Sequence, residues 1–268
     1  MKFKRVSLFY YSPTHTTQKI VNEIAVGIGI DPLKQIENNL TYPEYAASII
    51  EADPDDLVVI GAPVYAGRIA IEALQRLSKI RFAGNPAVLV AVYGNRHYDD
   101  ALIDLKEMAC AAGLRPVAAA AFIGEHSYST KDFPVAKGRP DAEDKQSARE
   151  FGRKVYEKVQ SLSTKTELPA LALPGAFPLP ERRVLPAAFA ETIFEKCIEC
   201  GRCEIVCPTG AVFFKKGYQT DVSKCTLCCA CLKECPRKAR VINSEHVQKV
   251  REALATKCNV RRLPEIFI

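Results

Sequence analysis

Cysteine is nearly missing from the first two thirds of this chain. Of eleven cysteines in 268 residues, Cys110 alone precedes Cys197. A disulfide framework would spread its cysteines along the chain, whereas a metal site gathers them, so the scarcity points to metal further on. Also missing is any apolar run approaching the about eighteen residues a membrane span needs. The N-terminal M-K-F-K-R-V-S-L-F-Y-Y-S has only a short apolar run and no small-residue cleavage site. These lacks place the protein in the cytoplasm, with no membrane attachment. No G-x-G-x-x-G occurs: Gly27-Ile28-Gly29-Ile30-Asp31-Pro32 follows a helical pattern rather than a strand, so direct hydride exchange with a nicotinamide dinucleotide has no support. The formal net charge is +6, yet Lys and Arg are scattered rather than gathered in a stripe, which argues against nucleic acid.

What is present is a soluble globular composition, 48% hydrophobic and 25% charged. Its length suits one or two domains. The stretch from Cys197 reads C-I-E-C-G-R-C-E-I-V-C-P and then, after a spacer, C-T-L-C-C-A-C-L-K-E-C-P. Both copies obey C-x2-C-x2-C-x3-C-P, the run whose thiolates hold cubane iron–sulfur clusters, with the fourth cysteine ligating the cluster of the other copy. One [4Fe-4S] cluster is therefore assigned to Cys197, Cys200, Cys203 and Cys235, and a second to Cys225, Cys228, Cys231 and Cys207. Structural zinc favours two spaced pairs and fits a repeated three-plus-one run poorly. Disulfides fit poorly too, because nothing else marks the chain as secreted. Of the other cysteines, Cys110 reads as core on an apolar helix. Cys229 stands where the first copy has Gly201, as a small residue beside the cluster, and Cys258 ends an amphipathic helix. Ligand counting leaves about two negative charges on each oxidised cluster, so the basic excess reads as local compensation. This stretch resembles a two-cluster bacterial ferredoxin.

Upstream, buried-strand runs alternate with helical patterns. Val6–Tyr11 leads through Ser12-Pro13-Thr14-His15-Thr16-Thr17 into a helix carrying Ile20, Val21 and Ile24. Asp56–Gly61, Ala87–Tyr93 and Val117–Ile123 are further strands, with a weaker one near Leu33–Ile36. Helices are expected at Ile69–Leu77, around Leu102, Leu105, Met108 and Ala109, and at Asp144–Leu162. Such alternation implies a parallel sheet covered on both faces, with ligands beyond the carboxyl ends of its strands. A hydroxyl-rich loop that opens a helix is a phosphate cradle, because its N–H groups and the helix dipole favour an anion. The other loops at those ends are Pro63-Val64-Tyr65-Ala66-Gly67-Arg68 and Gly94-Asn95-Arg96-His97-Tyr98-Asp99.

This half resembles a flavodoxin, a doubly wound α/β domain that binds FMN. Ser12, Thr14 and Thr17 match the phosphate-loop pattern of that family, with Thr16 beside them. His15 stands where glycine, which eases a positive φ, is usual. The resemblance implies that Pro63, Val64, Tyr65, Ala66 and Gly67, together with Tyr93, Gly94, Asn95, Arg96, Tyr98 and Asp99, flank the flavin ring. Tyr65 and Tyr98 would supply aromatic faces. The long loop 124–143 is expected to cover the flavin or dock the second domain, with His126 read as a hydrogen-bond anchor. A stiff Pro-rich connector follows.

The whole order is similar to flavodoxin–ferredoxin fusion proteins, with P-V-Y-A-G-R, Y-G-N-R-x-Y-D-D and G-E-H-S-Y-S adding to the match. The expected division is an FMN-binding α/β domain at 1–165, a connector at 166–190, a smaller α+β ferredoxin domain at 191–243 and a helical tail at 244–268. The expected function is electron transfer between the clusters and FMN, serving redox protein partners, with a homodimer as one possible assembly. The alternatives are a flavin-dependent reductase of a small molecule, or a regulatory protein with structural clusters.

Overall fold

The computed structural model describes residues 3–29, 34–46, 50–162, 170–184 and 186–268. Its larger part alternates β1 (Arg5–Tyr10), α1 (Thr16–Ile28), β2 (Gln35–Asn39), β3 (Asp56–Tyr65), α2 (Ile71–Leu77), β4 (Pro86–Tyr93), α3 (Ala101–Ala111), β5 (Arg115–Ile123) and α4 (Ala142–Ser161). The strands run in the order β2-β1-β3-β4-β5, every neighbouring pair parallel. This is the doubly wound, flavodoxin-like order. Its central strands are apolar without alternation because both faces are covered; β4, PAVLVAVY, is buried at every position. On one face α1 and α4 pack Ile20, Ile24, Phe151 and Val155 against β1, β3 and β4. On the other, α2 and α3 bring Leu77, Leu102 and Leu105 against Ile60 and Leu89.

The smaller part contains β6 (Glu191–Thr192), α5 (Arg202–Ile205), β7 (Val212–Phe214), β8 (Tyr218–Thr220), α6 (Ala230–Glu234) and β9 (Arg240–Val241), with β6 antiparallel to β9 and β7 antiparallel to β8. The two cysteine runs share a backbone. Glu199 and Leu227 are left-handed at φ 51° and 55°, and Gly201 and Cys229 at 76° and 64°. Cys229 is thus a buried cysteine in a position where its counterpart is glycine. Next comes α7 (Glu245–Lys257), capped by the Ser244 hydroxyl, which accepts from the Val247 N–H. The tail ends in β10 (Glu265–Phe267), which joins the large sheet antiparallel to β5, Glu265 opposite Ala121.

Several elements differ from the sequence reading. The weak strand is β2, Gln35–Asn39, and Leu33 lies outside the described residues. Arg68 and Ile69 turn back to pair with Tyr65 and Val64, which delays α2 to Ile71. Cys110 is exposed rather than core: Ala109 takes the inward position on α3, and the next residue, about 100° further round, faces out. The connector has no helix or strand in 170–184 and 186–190, but it does not bridge a gap. It lies along α3, where Lys106 Nζ donates to the Leu171 carbonyl and the Ala176 N–H donates to Asp100, while Arg182 bonds Asp104 at 2.7 Å. Pro169 and the 165/166 boundary are outside the described residues. The tail belongs to both parts, since Val247 is buried with the cysteine-bearing core and β10 extends the large sheet.

Candidate functional site

The eight motif cysteines separate into two cavities. Cys197, Cys200, Cys203 and Cys235 line one; Cys207, Cys225, Cys228 and Cys231 line the other. Each run thus gives three sulfurs to its own cavity and the fourth to its partner's, because the short helix after the second cysteine turns the chain toward the opposite site. The fourth sulfurs are held alike: the Ala211 N–H donates to Cys207 Sγ and the Ala239 N–H to Cys235 Sγ, both at 3.2 Å. Among the described residues no three His, Cys, Asp or Glu side chains converge as ligands of a single metal ion. Burial pushes the Cys231 thiol up to about 11 and the Cys229 thiol up to about 12. Holding the buried Cys231 as a thiolate therefore needs compensating positive charge, which the iron of a 4Fe-4S cluster would supply. Arg240 lines the first cavity and is itself buried. Its guanidinium donates to the Ala190 carbonyl at 2.9 Å and to the Thr192 and Thr220 hydroxyls.

A third cavity, about 280 Å³, opens at the carboxyl ends of β1, β3 and β4. Thr14 and Thr16 from the first loop line it, as do Pro63, Val64, Tyr65 and Ala66 from the second and Tyr93, Gly94 and Arg96 from the third. Ser12 and Thr17 support this cavity from behind. The Ser12 hydroxyl accepts from the Gln18 N–H at 3.1 Å, and its own N–H donates to Thr41 Oγ1 at 2.8 Å. Thr17 Oγ1, at the first turn of α1, is buried with no partner among the described residues. An orphan hydroxyl and a helix N-terminus with no acidic residue in its first turn are what a phosphate group would satisfy. His15 is left-handed at φ 63°, the conformation for which glycine is the usual residue, and its ring reaches 3.7 Å from Glu234 of α6. The side chain that replaces glycine here therefore contacts the cysteine-bearing part.

Four other expected ring-flanking residues are placed elsewhere. Tyr98 is buried, with its ring stacked on His97 at 4.8 Å and its hydroxyl donating to Glu265 at 2.6 Å. Rather than offering a face to the cavity, it anchors β10. Asn95 donates to the carbonyls of Cys258 and Val260 at 2.7 and 2.9 Å and accepts from the Arg262 N–H, so it holds the tail. Asp99 bonds Arg96 and receives the close approach of Gly67, whose φ is 84° and where a Cβ would stand 2.2 Å from the Asp99 carboxylate. The C-terminal tail takes the polar groups of Tyr98 and Asn95, contacts that short-range spacing does not register, whereas Arg96, three residues back in the same loop, takes Asp99.

The sequence reading missed the far wall. His246, Val250 and Leu254 of α7 line the cavity, and so do Thr226 and Leu227 from inside the second cysteine run. Only the apolar stripe of α7 signalled a buried face. The loop after β5 both covers the cavity and docks the second part. Residues 124–128 line it, while Lys233 of α6 donates to Glu125 at 2.9 Å and to the Ser129 carbonyl at 2.8 Å. His126 is a hydrogen-bond anchor, its Nδ1 accepting from the Tyr128 N–H at 3.0 Å, and it packs so closely on Gly94 that a Cβ there would stand 2.3 Å from the ring. Burial, with Lys233 and Arg96 nearby, pulls it down to about 4, so the imidazole is neutral with its proton on Nε2.

A 4Fe-4S binding domain model matches residues 190–213. Two uncharacterized ferredoxins of Methanocaldococcus jannaschii are each 43% identical, one over 58 residues (19% of this chain, 36% of that protein) and one over 53 (18% and 69%). The pyruvate synthase subunit PorD of Methanothermobacter marburgensis is 40% identical over 45 residues, 17% of this chain and 53% of that subunit. The chain therefore spans between 36% and 69% of the lengths of these three relatives. Oxidised flavodoxin 2 from Bacillus cereus superposes with a TM-score of 0.41 at 15% identity, over 57% of this chain and 99% of that one. Strand order, rather than that superposition, establishes the N-terminal fold. No helix among the described residues is long and apolar enough to cross a membrane. Through its cysteine-bearing part the chain belongs to the ferredoxin family, and it joins that 4Fe-4S binding domain to a flavodoxin-like sheet.

Proposed function

We propose that this chain carries single electrons between two [4Fe-4S] clusters and FMN, linking a low-potential one-electron donor to one- or two-electron acceptors. The observation that supports it most is a shared wall: Thr226 and Leu227 line both the cavity of Cys207, Cys225, Cys228 and Cys231 and the 280 Å³ cavity. Bound FMN would supply a centre able to hold one or two electrons, whereas a cluster passes them singly. Thr14, Thr16 and Thr17 would hold its phosphate at the start of α1, and Tyr65, Tyr93 and Arg96 would flank its ring. The loop 124–128 and α7 exclude water from the same space. The neutral His126 offers its Nε2 proton as a hydrogen-bond donor. The likeness to a pyruvate synthase subunit supports a redox protein as partner.

A flavin-dependent reductase would take its substrate in the same cavity, whose wall includes His126, Tyr128, Val250 and Leu254. The carrier reading is favoured because that cavity shares Thr226 and Leu227 with a cysteine set. Its test is an anaerobic preparation assayed for iron and flavin and titrated stepwise with reductant. About eight irons and one FMN per chain are expected, from ligand counting, with flavin absorbance bleaching once the clusters are reduced. Iron without flavin, or a flavin that stays oxidised beside two reduced clusters at a sufficiently low potential, overturns the proposal.

A further inference from the structure

The two cysteine runs match in spacing and backbone but differ in surroundings. Cys200 is exposed, whereas Cys228, its counterpart, retains 8% exposure. Beside Cys200, Ile198 and Arg202 are exposed as well. Over the second set the flavodoxin-like domain closes. Buried Arg76 of α2, its guanidinium 5.3 Å from the Tyr11 ring, donates to the Pro208 carbonyl, next to Cys207, and Lys233 of α6 bonds Glu125 and the Ser129 carbonyl of the loop after β5. On the wall between this set and the larger cavity, Thr226 Oγ1 is buried with no partner among the described residues. A desolvated hydroxyl left unpaired is costly, so a group bound on either side of it is its natural acceptor.

From this asymmetry, and resting on the function proposed above, we infer that the two sets work in series. Cys197, Cys200, Cys203 and Cys235 form the outer port, which exchanges electrons with a one-electron protein carrier. Cys207, Cys225, Cys228 and Cys231 form the inner relay, which serves the flavin cavity across Thr226 and Leu227. Each reduced carrier loses one electron at the port and leaves oxidised. Two such events, with protons drawn from water, complete a two-electron reduction in the cavity, and no further oxidant or reductant is required. Thr226 acts as a positioning residue, its hydroxyl donating across the wall.

The test uses the full chain reconstituted anaerobically with iron, sulfide and FMN, and a reduced plant-type ferredoxin, which holds a single [2Fe-2S] cluster, as the one-electron carrier. Cluster reduction is followed by low-temperature electron paramagnetic resonance and flavin by absorbance. With Cys228→Ser, the outer cluster is expected to reduce at the parent rate while flavin bleaching is lost. With Cys200→Ser, reduction by the ferredoxin is lost, and titanium(III) citrate, small enough to reach either centre, still bleaches the flavin. Thr226→Val, nearly isosteric, is expected to shift the potentials of the inner cluster and the flavin but not of the outer cluster, and Thr226→Ser to restore them. Parent-rate flavin bleaching by ferredoxin in either cysteine variant overturns the order, as does a Thr226→Val shift confined to the outer cluster or absent altogether. Failure of the parent chain to bleach its flavin at all is a different result, which rejects the proposed function rather than the order.

Discussion

Two runs of twelve residues with one spacing pattern end in different chemical settings. The first keeps Cys200 and Ile198 at the surface; the second is held to the loop after β5 through Lys233, while Arg76 of α2 holds the Pro208 carbonyl beside Cys207, the sulfur that the first run lends to the second cavity. The ligand pattern does not create that difference, because the cysteines, prolines and left-handed turns correspond position by position; the residues between them do differ, with Lys233 and Glu234 where the first run has Ile205 and Val206. Docking creates it. Lys233 bonds Glu125 and Ser129, and Glu234 approaches His15, so α6 of the second run is clamped while α5 of the first is left free of such bonds to the flavodoxin-like domain among the contacts of the described residues. Inner and outer positions are assigned by the neighbouring domain, not by the ligands.

The largest expected effect concerns which sulfurs belong together. Cys235→Ala is expected to abolish the same paramagnetic signal as Cys203→Ala and to cost about four irons, leaving the other cluster in place. If it instead abolishes the cluster lost in Cys231→Ala, the exchange of fourth ligands between runs is wrong. A smaller effect lies in the loop that covers the inner half. His126 is held down to about 4 in the folded chain, against its ordinary 6.5. The unfolded chain therefore binds the extra proton first as pH falls. The contribution to stability is complete above about pH 6.5 and is lost progressively toward pH 4, amounting to about 3 kcal/mol at most. Denaturant midpoints at pH 7 and 4.5 should differ more for the parent than for His126→Gln; equal differences would remove His126 from the account. The smallest effect is expected at His15. Relieving its left-handed backbone with His15→Gly gains about 1 kcal/mol, offset by loss of a half-exposed contact to Glu234 worth at most about 1 kcal/mol. Thermal melting should move by only a few degrees, while chelators should strip the inner cluster faster in the variant. An unchanged stripping rate would mean that His15 does not help clamp the inner run.

Elements built from local repetition were readable before the structure. The four apolar strands β1, β3, β4 and β5 stand within a few residues of their expected positions because burial on both faces leaves an unbroken apolar signal. The hydroxyl-rich opening of α1 was readable from its residues, and the grouping of cysteines that line each cavity follows the spacing of the runs. Two of the misplaced residues share one cause. Asn95 and Tyr98 sit in a loop of the right kind, but their polar groups are claimed by Cys258, Val260 and Glu265, more than 160 positions away. Cys110 was misjudged by a single helical step.

The sequence by itself determined the cysteine spacing, the alternation that makes a doubly wound sheet and the hydroxyl-rich start of α1, since each depends on residues close together in the chain. Only the tertiary structure decided that α7 and the second cysteine run would wall the large cavity, that the tail would add a strand to the sheet, and that two equivalent cysteine runs would become unequal. Those outcomes depend on which surfaces exclude water when two domains pack, and that is a property of the assembled fold rather than of any segment.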